Sequence, residues 1–256
     1  MPNFKVLEKY EYYYQPQIDI QKELLTGYEC LIRYCDNGEV ILPLDFLHIV
    51  ERDALWPDVW KSLFCKMQLA YKYLDGKLAI NVSPQELESG DVVSIIKEGI
   101  QSGFLLPDRL ELEVTEQSKI SSYSTISKMI DEVNGLGVSV VIDDFGVGYS
   151  GLQRLQNLNV QGLKIDRSII NGIESSALQQ AIVESIVSIA DVKGCYVLAE
   201  GIETEEQFLT LKKLGCHQGQ GYFFSMPQSL NSFIRPHAES CSLTNSSTRT
   251  KMVNTG

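Results

Sequence analysis

Eight short apolar runs alternate with longer stretches of helical periodicity along this chain, and that alternation restricts its fold more than any other feature. The runs fall at 10–16, 27–34, 77–82, 109–115, 138–143, 162–166, 195–200 and 218–223 and read as strands. Helical patterns occupy 44–53, 58–73, 84–102, 122–136, 168–193 (broken early) and 204–214. Such an order packs as a parallel sheet covered by helices, and eight strands in 256 residues suit a closed, TIM-like (β/α)8 barrel of the α/β class. The first connection departs from the pattern. About ten residues join the first two strands, too few for a helical crossover. A hairpin is expected there, with the first strand antiparallel to the rest.

Helix ends are marked locally. Thr204-Glu205-Glu206-Gln207 has the form of a capping box, and Ser83-Pro84 with Glu86 is a second start signal. Asn134-Gly135-Leu136-Gly137 and Lys193-Gly194 are stops. Beyond Pro236 the chain turns to Ser, Thr and Asn, so 1–237 is expected to form the domain and 238–256 a disordered tail. No second recognisable domain and no internal repeat is read.

Polar residues fall where such a barrel carries its chemistry, near the C-terminal ends of the strands. The fifth run ends at Asp143-Asp144, followed by a glycine-rich turn at 145–150. Adjacent strand residues face opposite sides. Two neighbouring carboxylates therefore serve one site only if the strand ends there and the backbone turns, which the glycines permit. The other strands contribute Glu29 with Leu31 and Arg33 on one face, then Asn81, Glu111 and Glu113, Lys164, Glu200 and Gln220. A lone glutamate in a strand is usually a solvated or ion-paired residue, and Glu111 reads as structural, deeper in the barrel and paired with a cation. The combination is less ordinary. Seven consecutive strands deliver an acid, an amide or an amine to one rim, and five of the groups are carboxylates: Glu29, Glu113, Asp143, Asp144 and Glu200. Carboxylates gathered this way repel unless cations offset them. The pattern favours two divalent metals sharing Asp143, roughly 3.5–4 Å apart.

Composition narrows the partners. The three histidines lack zinc-site spacing, so oxygen ligands and hence magnesium, manganese or calcium are expected. A net charge of −11 argues against non-specific binding to DNA, RNA or anionic membrane. No apolar stretch reaches the length of a membrane span, and the N-terminus lacks the apolar core of a signal peptide. The six cysteines form no C-x-x-C pair, and Cys30, Cys195 and Cys216 read as buried small residues, which points to a reducing cytoplasm.

Taken in order, these residues resemble the EAL-domain family of cyclic di-GMP phosphodiesterases over about residues 10–227. The motifs are Glu29-Cys30-Leu31 within Tyr28-Glu-Cys-Leu-Ile-Arg33, Asn81-Val-Ser83, Glu113-Val-Thr-Glu116, Asp143-Asp-Phe-Gly-Val-Gly-Tyr-Ser150, Lys164-Ile-Asp166, Ala199-Glu-Gly-Ile-Glu-Thr204 and Gln220-Gly-Tyr222. Cys30 stands where the family usually has Ala, Val147 where Thr or Ala is common and Gly151 where Ser is common. His217 replaces a frequent Asp, and Met226 a frequent basic residue.

The resemblance implies hydrolysis of one phosphodiester bond of cyclic di-GMP to linear pGpG, with two divalent cations, Mg2+ or Mn2+, as cofactors and Ca2+ as an inhibitor. It implies that Glu29, Asn81, Glu113 and Asp143 hold one metal and Asp143, Asp144 and Glu200 the other. Lys164, Glu200 and Gln220 would form the catalytic set, with Leu31, Arg33 and Gln220 binding substrate. Glu116 would anchor the loop after the Asp143-Asp144 pair, which in the family links the metal site to a homodimer interface. The alternative is a module of the same fold that binds the nucleotide, or a partner protein, without hydrolysis. An unrelated two-metal barrel hydrolase is disfavoured by the scarcity of histidine and by the ordered motif set.

Overall fold

Tyrosines alternating with polar residues, and two long runs of β-forming side chains, build a hairpin at the start of the chain. In the computed structural model, which describes residues 6–115, 122–147 and 151–234, strand β1 (Tyr10–Asp19) pairs antiparallel with β2 (Leu24–Asp36). The register runs from Tyr10 opposite Tyr34 to Asp19 opposite Leu24, with an irregularity at Gln17/Ile18. A short β3 (Glu39–Ile41) extends the far end of β2.

The ring then continues through β4 (Lys77–Val82), β5 (Leu110–Thr115), β6 (Ser139–Phe145), β7 (Gly162–Ile165), β8 (Tyr196–Ala199) and β9 (Gln218–Gly219). From β2 to β9 every neighbouring pair is parallel. β9 returns antiparallel onto β1, which closes eight strands into a mixed barrel and leaves β1 antiparallel to both its neighbours, as the short first connection predicts. A tenth strand, β10 (Gln228–Ser229), pairs with the outer part of β1. Neither β3 nor β10 is among the strands expected from the sequence.

The last barrel strand is shorter than the apolar run at 218–223 suggests. Gln220 still donates its backbone N–H to Ala199, but its carbonyl then accepts from Ile202 in the loop after β8, and Phe223 donates to the Ile202 carbonyl, in place of a ladder. The helical stretch expected at 84–102 is two helices, Pro84–Ser89 and Asp91–Gln101, divided by Gly90 at φ +76°. That left-handed conformation suits glycine and ends the first helix. The stretch at 168–193 is likewise Arg167–Ile170 and Ala177–Lys193, with the early break in place. The expected capping box forms at Thr204, and the start signal at Ser83 proves to be a capping box as well. The proposed tail, 238–256, lies outside the described residues. No described helix is long and apolar enough to cross a membrane.

Period-two alternation sorts each strand between the helix-facing layer and the barrel interior. On β5, Leu110, Leu112 and Val114 join Ile126, Ile130 and Val133 of helix Tyr123–Gly135 in the core, while Glu111 and Glu113 turn inward. Burial of each such aliphatic side chain contributes about 1.5–3 kcal/mol relative to exposure. Glu111 lies toward the N-terminal end of the strands, where Lys77 Nζ reaches it at 2.9 Å and the Tyr196 hydroxyl donates to its other oxygen at 2.5 Å. Lys77 also bonds Ser139 Oγ at 2.7 Å. The cation expected beside Glu111 is thus Lys77, and this end of the barrel is neutralised by its own residues.

Candidate metal centre

Asp143 and Asp144 reach the same side because the backbone turns at Asp144 itself. Its φ is +56°, and the β6–β7 register shifts between Ile142 and Phe145. Asp is one of the few non-glycine residues that enters this left-handed region readily. Strand β6 therefore does not stop at the aspartates, as the sequence suggests, but runs on to Phe145 around a bulge. A bulge of this kind re-aims a side chain next to a functional site. Gly146 follows at φ +100°, so the glycine-rich segment continues the turn that the aspartate begins.

The carboxylate oxygens of Asp143, Asp144 and Glu200 lie within 4.8 Å of one another. Beside them is Lys164, projecting into the barrel from β7 and only 1% exposed. Its ammonium is 2.7 Å from Glu113, 2.7 Å from Glu200, 3.3 Å from Asp143 and 3.8 Å from Glu29. On the other side of the rim, Asn81 Nδ2 donates to Glu29 Oε1 at 2.7 Å, and Gln220 Nε2 donates to Glu29 Oε2. Glu29, Leu31, Asp143, Glu200 and Gln220 line a pocket of about 270 Å³, with Gln15, Arg167 and Tyr222 on its walls. Arg33, two residues beyond Leu31, is not among the lining residues. Its guanidinium lies over the Tyr13 ring at 5.6 Å and bonds the Ile32 carbonyl at 2.8 Å. Glu116 lies outside the described residues.

Two site residues escape the sequence reading. Gln15 and Gln17, both on β1, are buried and face the barrel interior. Gln15 Oε1 accepts from Gln220 Nε2 at 3.0 Å, and Gln17 Nε2 donates to Glu113 Oε1 at 3.2 Å. The sequence signal is Gln-Pro-Gln inside a strand otherwise rich in tyrosine. All eight barrel strands, not seven, thus send a polar group inward.

Charge at the rim is unbalanced. Burial raises the Glu113 carboxyl well above the usual range, and the Glu29 and Asp143 charges raise it further against the pull of Lys164. Burial likewise pushes Glu200 up to about 8, with Asp143 and Glu29 adding to the effect and Lys164 opposing it. For Glu29 burial acts upward too, but Lys164 and the hydrogen bonds from Asn81 and Gln220 bring it below the usual range. Burial would lower the Lys164 ammonium, yet the surrounding carboxylates hold it well above its ordinary value. Among the described residues, one fixed cation faces four carboxylates.

Among the described residues, Asp143 Oδ1 and Gln220 Oε1 are buried acceptors with no hydrogen-bond donor. Asp143 Oδ1 is within ion-pair distance of Lys164 but outside hydrogen-bond geometry. Unsatisfied buried acceptors cost about 1–3 kcal/mol each. Orphaned oxygens, excess carboxylate and an all-oxygen donor set fit hard divalent cations.

Comparison with known proteins gives the same direction. The EAL-domain profile matches residues 6–227. The cyclic di-GMP phosphodiesterase PA2567 of Pseudomonas aeruginosa is 31% identical over 240 residues, covering 89% of this chain and 40% of that protein. The solved PaMucR phosphodiesterase in complex with c-di-GMP superposes with a TM-score of 0.77 at 29% identity, over 88% of this chain and 94% of that one. The manganese and cyclic di-GMP complex of Klebsiella pneumoniae BlrP1 superposes with a TM-score of 0.78 at 28% identity, over 87% and 56% of the two chains. Three curated relatives are matched over only 28%, 34% and 40% of their own length. With a closed barrel whose one antiparallel strand is the first, an acidic rim around a buried lysine, and a profile match that spans nearly all described residues, the chain belongs to the EAL-domain family.

Proposed function

We propose that the protein is a metal-dependent phosphodiesterase that hydrolyses one phosphodiester bond of cyclic di-GMP to give pGpG. The observation that carries this reading is the Asp143, Asp144 and Glu200 cluster beside Lys164, under a pocket open at the strand ends. Glu29, Asn81, Glu113 and Asp143 would hold one divalent cation, and Asp143, Asp144 and Glu200 a second. Bound there, Mg2+ or Mn2+ supplies a water acidic enough to attack at neutral pH and offsets charge on the phosphoryl oxygens. Ca2+, larger and looser in its coordination, would compete without supporting the reaction.

The remaining work falls to the chain's own groups. Lys164, kept charged by its carboxylate neighbours, donates to the attacking oxygen and to the negative charge that develops in the transition state. Glu200, 2.7 Å from that ammonium, orients it. Gln220, whose Oε1 has no donor among the described residues, hydrogen-bonds water or substrate. The backbone at Leu31 and the Arg33 guanidinium bind a phosphate, for which a planar fork of donors is suited. Glu116 anchors the loop after β6.

The reading includes a homodimer in a reducing cytoplasm. Helix Ala177–Lys193 supports the dimer. Val183, Ile186, Val187 and Ala190 pack inward, while Leu178, Ile182, Ile189 and Val192 form an exposed apolar stripe on its other side.

Purified protein incubated with cyclic di-GMP and Mg2+, Mn2+, Ca2+ or chelator, with products resolved by chromatography, tests the reading. Metal-dependent pGpG is expected, and Asp143→Asn should abolish it with an unchanged circular dichroism spectrum. Tight nucleotide binding without product would instead favour a receptor.

A further inference from the structure

Gln17 is 2% exposed and lies inside the barrel. Burying an amide there costs free energy unless it is hydrogen-bonded, and an aliphatic side chain would fill the space without that cost. Its Nε2 donates to Glu113 Oε1 at 3.2 Å, while Lys164 Nζ holds Glu113 Oε2 at 2.7 Å. The reverse amide orientation would set two acceptors against each other. Because β1 runs antiparallel to the rest, Gln17 lies one pleat below Gln15 relative to the rim; Gln15 lines the pocket and Gln17 does not. The side-chain hydrogen bond by which Gln17 meets the site is thus the one to Glu113.

The last torsion of a glutamate is broad and does not fix its carboxylate plane. Glu113 is fully buried, so that plane must be set by its partners. We infer that Gln17 is a positioning residue, which fixes the rotation of the Glu113 carboxylate from beneath and so prepares it to hold a divalent cation. The inference rests on the metal-dependent reading above. Partners that orient a ligand in this way typically change metal affinity by about 10–100-fold.

Gln17→Met preserves length and approximate volume but removes the donor, and Gln17→Leu serves as a second apolar variant should the first fold poorly. Free Mn2+ is measured by electron paramagnetic resonance during titration of the purified full chain. The expected result is binding about ten-fold weaker than wild type, at the low end of that range. In a Glu113→Gln background the same replacement should change the residual affinity less than about two-fold, because the group through which Gln17 acts is gone. A role confined to packing predicts no such coupling. Wild-type Mn2+ affinity in Gln17→Met and Gln17→Leu overturns the inference, as does a loss that persists undiminished in the Glu113→Gln background. If wild type binds Mn2+ and Asp143→Asn does not, either of those results overturns the Gln17 role alone. Absence of Mn2+ binding by wild type overturns the metal reading and this inference together.

Discussion

Replacing Lys164 by Met removes the one ammonium that, among the described residues, four carboxylates share, three of them buried. Breaking a buried ion pair from one side costs about 3–5 kcal/mol, because the remaining charge is left uncompensated. For a chain of this size 1 kcal/mol moves the melting temperature by about 2–4 °C, so a loss of roughly 6–20 °C is expected in chelator at pH 8. The pH dependence makes the test specific. Glu200 is held up to about 8, against an ordinary value of 4.5, and Glu113 is raised as well, in both cases by burial first. A carboxyl raised on folding contributes stability that is complete below its unfolded value and disappears as pH rises through its folded value. Metal-free wild type should therefore melt at progressively lower temperature between pH 5 and 8. Without Lys164 the same carboxyls rise further and that decline steepens. At pH 5 Glu200 is largely protonated, and Met replaces a buried charge, so the deficit should narrow there.

Differential scanning fluorimetry across this pH range, with chelator and with Mn2+, reads all of these effects. Mn2+ should raise the melting temperature of wild type most at pH 8, where binding displaces the fewest protons. A deficit below about 2 °C at pH 8, or one equal at pH 5 and pH 8, would show that Lys164 does not balance the carboxylates as argued.

Two further predictions follow from the turn and from the opposite end of the barrel. Asp144→Asn keeps a residue that tolerates φ +56° and should leave the chelator melting temperature within about 2 °C, while weakening Mn2+ binding ten-fold or more; equal affinity by titration calorimetry would remove Asp144 from the metal set. Tyr196→Phe deletes the hydroxyl bonded to buried Glu111 and should cost about 1–3 kcal/mol by urea denaturation with kcat unchanged; a comparable fall in kcat would contradict the separation of the two ends.

The barrel and its antiparallel first strand are legible in the sequence because periodicity and connection length are local properties. The acids at the strand ends are legible for the same reason: alternation assigns Glu111 and Glu113 inward and the strand's leucines outward. What sequence reasoning misplaces depends on backbone choices that several residues could make. The turn between Asp143 and Phe145 is entered by an aspartate in a left-handed conformation, and composition draws attention to the glycines after it. The role of Gln15 and Gln17 is set by strands distant in the chain. Gln17 meets Glu113 across the lumen, 96 residues away, and Gln15 meets Gln220 at a separation of 205. The break at Gly90 is equally hidden, because the apolar period continues on both sides of it.

Strand β5 places both of the barrel's electrostatic solutions side by side. Glu111 and Glu113 are the same residue type, two positions apart, buried and facing inward. Glu111 has Lys77 on one oxygen and the Tyr196 hydroxyl on the other, so its charge is matched locally. Glu113 shares Lys164 with Glu29, Asp143 and Glu200 and is left in deficit. Residue type therefore does not separate the structural carboxylate from the proposed metal ligand. The ratio of cations to carboxylates within reach does. A protein interior does not tolerate that deficit without protonation or a bound cation. In the metal-free protein burial and the neighbouring carboxylates raise Glu113 and Glu200, which favours their protonated forms. Cations able to displace those protons gain the most at this end of the strands, which is also the end open to the pocket.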